Sequence, residues 1–274
     1  MARHVPAHRA QAAGKLTQIL MPILKGSNII VTGASRGLGL AIALELARNG
    51  AGLFLVADGT LDSLQRAAGE CKQAGAAGEV RIMQADLGQR NAAEDMVGQA
   101  VDAMGSVYAL VNNAGIRMRK LLGEYSGEDF DRLIAVNLRA PFFASQAVLP
   151  HMRAAGGGRI VNIASQMGLV AQEGIALYSL AKAALIQFTR SMAFEAGRHN
   201  IQVNAVSPGP AATEDNVRRM TGTPELHAER MRYMVTGRLV ECDEVAKAVL
   251  FLLSTDATSI QGHNLLVDGG YTIH

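Results

Sequence analysis

The chain has 274 residues, 49% hydrophobic and 18% charged, which is enough apolar material for one large core and within reach of a single α/β domain. Its formal net charge of +2 comes from dispersed lysines and arginines with no continuous basic stripe, so nucleic acid is not an expected partner. Two distant cysteines, Cys71 and Cys242, and seven scattered histidines offer neither a disulfide frame nor metal-ligand spacing; the expectation is a reducing, cytoplasmic setting and no metal centre.

The first 25 residues hold Arg3, Arg9, Lys15 and Lys25 and no acid, and the first acid of the chain is Glu45. Their apolar stretch 16–24 is short, is interrupted by Pro22 and lacks a small-residue cleavage site, a poor fit to a secretory signal. A basic extension over 1–25 is therefore expected ahead of one folded domain over 26–274, and Met21 is a candidate alternative start.

From residue 28 onward short aliphatic runs alternate with helical segments. The expected strands are 28–32, 53–57, 80–85, 109–112, 159–164, 201–206 and 264–267, and the expected helices include 37–48, 61–74, 92–104, 126–153, 176–198 and 243–253. This alternation predicts an α/β fold with a doubly wound, seven-stranded parallel sheet and helices on both faces. The apolar stretch 175–196 contains Lys182, Arg190 and Glu195, which fits a buried or interface helix better than a membrane span.

The first strand runs into Thr32-Gly33-Ala34-Ser35-Arg36-Gly37-Leu38-Gly39 and then a helix. There Gly33 permits a tight turn, Gly37 lets the backbone approach a pyrophosphate, and Gly39 allows close helix-to-strand packing, while the helix N-terminus offers amides and partial positive charge. Further on, Tyr178 and Lys182 stand at i,i+4 spacing with Ser165 upstream. On a helix that spacing places a phenol and an ammonium on one face. Lowering a tyrosine from ~10 by about three units takes roughly 4 kcal/mol, and a cation about 4 Å away supplies approximately that at an effective dielectric of ~20. The plain alternative is an ordinary amphipathic helix.

Together with Asn112-Asn113-Ala114-Gly115 after the fourth strand, Asp86 after the third, Asn137 in Val136-Asn137-Leu138, Pro208-Gly209 followed by Thr213, and Val267-Asp268-Gly269-Gly270, these motifs closely resemble the short-chain dehydrogenase/reductase family from Asn28 to Tyr271. The resemblance implies a Rossmann-type fold and an enzyme interconverting a secondary alcohol and a ketone with NAD or NADP. It implies that Tyr178 is the acid–base group, that Lys182 lowers its pKa and holds the nicotinamide ribose, that Ser165 hydrogen-bonds the reacting oxygen, and that Asn137 positions a water in a proton path behind Lys182. The implied cofactor residues are Gly33, Ser35, Arg36, Gly37, Leu38, Gly39, Asp58, Asp86, Leu87, Asn113, Ala114, Gly115, Tyr178, Lys182, Pro208, Gly209 and Thr213, with Asp86 at the adenine amino group and Thr213 at the carboxamide. Local alternatives stand beside these roles: Asn137 satisfying backbone, Asp86 capping a helix, Asn112 bracing the sheet, Thr213 starting a helix.

Cofactor choice is contested by two residues. Asp58 would lie near the ribose 2′ position, whereas Arg36, just before the second glycine, is where a base often accompanies NADP. Repulsion between the carboxylate and a phosphate favours NAD. The substrate residues implied are Arg117, Arg119, Gln166, Met167 and Gln172, a polar and apolar mixture that fits a small hydrophilic substrate such as a sugar acid or polyol. The Asn-Asn-Ala-Gly-x-x-x-Arg pattern reaching Arg119 is similar to gluconate 5-dehydrogenase-like members. A helical lid is expected over 214–233, in which Met220, Met231 and the following Met234 read as core or as flexible packing over a substrate. Two alternatives stay open: an NADPH-dependent 3-oxoacyl-acyl-carrier-protein reductase-like enzyme, with Arg117, Arg119 and Lys120 receiving an acidic carrier, and a non-catalytic dinucleotide-binding regulator. The resemblance also implies a homotetramer or homodimer, formed partly through the helices containing 130–153 and 176–198.

Overall fold

The computed structural model describes residues 23–222, 228 and 231–273. The basic extension up to residue 22, including Met21, lies outside the described residues, as do 223–227 and 229–230 of the expected lid.

Seven strands, β1 (Asn28–Thr32), β2 (Gly52–Ala57), β3 (Val80–Gln84), β4 (Ala109–Asn112), β5 (Gly158–Ile163), β6 (Ile201–Pro208) and β7 (Asn264–Val267), pair in the order β3-β2-β1-β4-β5-β6-β7. Every pairing is parallel. Between them run α1 (Gly37–Arg48), α2 (Leu61–Ala74), α3 (Ala92–Met104), α4 (Gly127–Ile134), α5 (Ala140–Ala154), α6 (Ala176–Ala196), α7 (Glu214–Thr221) and α8 (Cys242–Leu253). The doubly wound α/β sheet expected from the alternation is the fold.

Parallel strands covered on both sides must be apolar on both sides, and successive residues point to opposite faces. Ile29, Val31, Leu53, Leu55 and Val111 accordingly pack with Ile42, Leu46, Leu64 and Val249 of α1, α2 and α8. Ile30, Phe54, Val56, Leu110 and Ile160 pack with Val97, Val148 and Met192 of α3, α5 and α6. Leu24 already belongs to the first of these layers, and its N–H donates to the Asn49 carbonyl at 3.0 Å. Met234 is also core, with Met231 packed against it, which favours the packing reading of both methionines.

The single helix expected over 126–153 is instead α4, a π-helical turn over Ala135–Arg139, and α5. Pro141 is the physical reason. It has no N–H to give the carbonyl of Asn137 four residues back, so the α-helical ladder cannot run through. Among the described residues the run Gly127–Ala154 is long and apolar enough by composition to cross a membrane, yet half of its most apolar window is buried, as in a core helix.

The carboxyl ends of the central strands are tied by a buried polar chain. The Asn112 carboxamide donates to Asn162 Oδ1 at 2.9 Å and to Ser145 Oγ at 3.1 Å. Asn162 Nδ2 in turn donates to Thr189 Oγ1 at 2.9 Å, joining β4 and β5 to α5 and α6. Asn112 thus braces the sheet, and its partner Asn162 carried no motif to announce it. Asn162→Ala is expected to lower unfolding stability by about 1–3 kcal/mol, because it strips partners from buried groups. Urea denaturation checks this, and a loss within error of zero would mean that the network adds nothing to stability.

Candidate active site

Strand order reverses between β1 and β4, and the cleft lies at the carboxyl ends of these strands. Gly33 and Gly37 sit at φ +66° and +57°, where a side chain would be strained, and a Cβ on Gly39 would collide with the Gly33 carbonyl oxygen. The turn is fastened across the reversal. Thr32 Oγ1 accepts the backbone N–H groups of Asn113 and Ala114, each at 2.9 Å, and Asn113 Nδ2 donates to the Thr32 carbonyl at 2.8 Å.

The cleft, about 310 Å³, is lined by Gly33, Ser35, Arg36, Gly37, Leu38, Gly39, Asp58, Asp86, Leu87, Asn113, Ala114, Gly115 and Thr213. All thirteen were expected from the family resemblance; Ala57, Ala85, Ile116, Val136 and Asp215 also line the cleft and were not named as cofactor residues. The first turn of α1 carries no acid, and no side chain caps it, so no side chain of its own takes up the amides that favour an anion there. These features fit the pyrophosphate of a dinucleotide. At the far wall Asp86 accepts from Gly88 N–H at 2.9 Å, from Gln89 Nε2 at 3.1 Å and from Arg132 Nη1 at 2.9 Å. Burial works to raise its pKa, but these hydrogen bonds and the Arg132 charge hold it below the ordinary carboxylate value.

A second cavity of about 230 Å³ shares Leu38, Asn113, Gly115, Ile116 and Thr213 with the first, making one continuous groove. Ser165, Tyr178 and Lys182 line it together with Pro208 and Gly209. Ser165 caps a 3-10 turn after β5; its hydroxyl accepts from Met167 N–H at 3.2 Å, donates to Gln166 Oε1 at 3.1 Å and hydrogen-bonds the Tyr178 phenol. Lys182 is 4% exposed and donates to the Ile163 carbonyl at 2.8 Å. Behind it, fully buried Asn137 pairs with one residue twice: Oδ1 accepts Ile116 N–H and Nδ2 donates to Ile116 O, both at 2.8 Å. Its side chain therefore satisfies backbone and positions the loop after β4.

The phenol and the ammonium expected to act together share a strongly desolvated setting. Burial raises the phenol above its ordinary value of 10.0, opposed by the hydrogen bond with Ser165 and by the charge of Arg117. The same burial lowers Lys182 from 10.5 to about 8. Desolvation penalises both charged forms at once, and the ammonium spends a hydrogen bond on a carbonyl with its nitrogen 5.8 Å from the phenol ring centroid. The cation that opposes burial is Arg117, whose guanidinium lies over the same ring, also at 5.8 Å.

Of the three cations after β4, only Arg117 lines the cavity. Arg119, expected as a substrate residue, is not among the lining residues: its side chain lies along Gly174, where a Cβ would come within 3.1 Å of Arg119 Cγ. Lys120 is paired with Asp129 at 2.5 Å. Gln166, Met167 and Gln172 line the cavity as expected. Thr213 does so too while also starting α7, its hydroxyl accepting Asn216 N–H at 3.3 Å. Tyr271 and Asn216 also line the cavity and were missed, as were Ile116, Ile163, Ala164, Pro210 and Ala211. The signal for Tyr271 was the Asp268-Gly269-Gly270 turn, in which the Asp268 carboxylate accepts the N–H groups of Gly270 and Thr272, each at 3.0 Å.

Residues 33–272 match the family model described as Enoyl-(Acyl carrier protein) reductase. The chain is 37% identical over 250 residues to gluconate 5-dehydrogenase of Gluconobacter oxydans, covering 91% of this chain and 96% of that protein. It is 35% identical to cyclopentanol dehydrogenase of a Comamonas species, with 89% and 96% covered. Among solved structures it superposes at TM-score 0.86 and 32% identity on a Beutenbergia cavernae protein, covering 93% of this chain and 100% of the other. That protein is provisionally described as an NAD(P)-dependent gluconate 5-dehydrogenase and holds NADP at low occupancy. These similarities carry no preference for NAD.

The Lys182 shift has a signed consequence. Between pH about 8 and 10.5 the unfolded chain binds more protons at this residue than the folded one, so its burial cost is full below about 8 and is relieved as pH rises through that window. Wild-type stability relative to Lys182→Met is therefore expected to increase from pH 8 to pH 10, by up to about 3 kcal/mol. Urea denaturation of both proteins at the two pH values checks this, and parallel pH dependences would contradict it.

Proposed function

The chain belongs to the short-chain dehydrogenase/reductase family and is an oxidoreductase acting on CH–OH groups with NAD or NADP, and from that membership we propose that its substrate is a small hydrophilic secondary alcohol bearing a carboxylate, such as a sugar acid. One observation carries the reading: Arg117 reaches the cavity beside Tyr178 with no carboxylate partner among the described residues. Arg117 is an exposed residue at the cavity mouth, and partial desolvation with the charges of Arg219 and Arg119 works to lower its pKa. A cationic wall only a ring's breadth from the acid–base group suits an anionic end on the substrate. The related proteins include both a gluconate and a cyclopentanol dehydrogenase, so the polarity of this wall is what favours the acid.

A bound nicotinamide dinucleotide supplies the hydride acceptor or donor. The glycine turn with Ser35 and Leu38 would hold its pyrophosphate, Asp58 its ribose hydroxyls, Asp86 and Leu87 the adenine, and Asn113 to Gly115 with Pro208, Gly209 and Thr213 the nicotinamide end. Asp58 on the cleft wall supports NAD over NADP. Tyr178 exchanges the proton with the reacting oxygen, and Ser165, already bonded to that phenol, orients the same oxygen. Lys182, with a pKa of about 8, carries the proton onward between Tyr178 and the interior. Asn137 contributes through its backbone carbonyl, which Pro141 deprives of its α-helical donor; its side chain is committed to Ile116. The carrier-protein alternative is disfavoured, because Lys120 spends its charge on Asp129 and Arg119 packs along Gly174.

Tyr178→Phe is expected to reduce turnover at least about 100-fold while dinucleotide binding persists; near wild-type turnover would defeat the mechanism. With the phenol raised above 10.0, alcohol oxidation is expected to accelerate with pH from neutrality upward, while ketone reduction slows. Arg117→Gln is expected to raise KM for gluconate-like acids about 10- to 100-fold with little change for a neutral polyol, and to move the oxidation profile to higher pH. Steady-state kinetics on paired acid and neutral substrates decides this, and equal effects on both would sink the carboxylate assignment.

A further inference from the structure

Arg36, the one base on the glycine turn, lies with its guanidinium 2.6 Å from the carboxylate of Asp215 at the start of α7. Both residues line the dinucleotide cleft, as does Asp58. The second oxygen of Asp215 accepts from Arg218 Nη2 at 2.9 Å, which anchors the carboxylate to its own helix. The segment leading into α7 approaches the same turn at a second point: a Cβ placed on Gly37 would lie 3.5 Å from Thr213 Cγ2. The base that would otherwise await a 2′-phosphate is thus held by an acid from a different part of the chain.

We propose that Asp215 is a cofactor-specificity residue, which withholds Arg36 from the 2′-phosphate of NADP and so acts with Asp58 to favour NAD. The inference rests on the dinucleotide reading of the cleft given above. A 2′-phosphate reaching Arg36 must displace the Asp215 carboxylate or sit beside it, and either outcome weakens binding relative to a free guanidinium. NAD has only hydroxyls at that position and does not compete for Arg36. The pair is largely open to solvent, with side chains 72% and 48% exposed, so the effect is modest in size and specific in its dependence on Arg36. A further consequence is that NADP, by taking Arg36, would release one of the contacts that hold the start of α7 against the glycine turn.

The test is fluorescence titration with NADH and NADPH of wild type, Asp215→Asn, Arg36→Ala and the double variant, a binding readout that needs no substrate. Asp215→Asn is expected to tighten NADPH about two- to five-fold with NADH unchanged, and Asp215→Glu to keep the wild-type ratio. In the Arg36→Ala background the Asp215→Asn substitution is expected to leave NADPH affinity where it was. Unchanged NADPH affinity in Asp215→Asn alone overturns the proposal. So does an equal gain with and without Arg36, which would mean that the carboxylate acts on the phosphate directly. Failure of the wild-type protein to bind either dinucleotide overturns the cofactor reading itself, and this inference with it.

Discussion

The hydroxyl of Thr32 ties the loop after β4 to the end of β1, the relation on which the cleft depends. At the point where strand order reverses, nothing in the parallel ladder connects the loop after β1 to the loop after β4. Thr32 Oγ1 receives two backbone N–H groups from the second loop, and the Asn113 carboxamide returns a bond to the Thr32 carbonyl. The glycine turn can then stay open without side chains to fill it, since its position is set from below by strand β1 and from the side by Asn113. Gly39 lies against the Gly33 carbonyl for the same reason: α1 must begin close to the strand if its amides are to face the groove.

At the other end of the groove, desolvation acts on the tyrosine and lysine that the i,i+4 spacing brings to one helix face. Packing that immobilises Tyr178 and Lys182 also removes the water that would stabilise their charged forms, so the phenol is raised and the ammonium lowered. The ammonium is at the same time anchored to the Ile163 carbonyl, with its nitrogen 5.8 Å from the phenol ring centroid. Arg117 brings a second cation to the same 5.8 Å from the ring, so that in the proposed reading one residue bears on both proton transfer and the choice of substrate.

Proline and glycine set two of the less regular features. Pro141 interrupts a helix that periodicity alone would continue, and the resulting π-helical turn places Asn137 beneath the loop after β4, where both polar atoms of its side chain find Ile116. Gly174 leaves space that the Arg119 side chain fills, which takes that cation away from the cavity. Neighbouring arginines in one short loop therefore have unlike roles for reasons that lie in segments far along the chain.

Local patterning determined most of the fold, and the resemblance to a known family named most of the residues that line the cleft. Alternation of aliphatic runs with helices gave the strands to within a residue or two at nearly every end, because a strand buried on both faces must be apolar throughout. The glycine turn was legible because its spacing answers a backbone requirement that acts over a few residues. Tertiary structure alone decided what depends on distance in space: that Lys182 faces a carbonyl, that Arg117 and not Arg119 reaches the cavity, that Asn162 completes a buried chain of polar groups, and that Arg36 meets Asp215 from the start of α7. Electrostatic and hydrogen-bonding partners are chosen by which segments the fold brings within a few ångströms, and pKa values follow from how much water that packing removes; neither quantity is written in the spacing of residues along one segment.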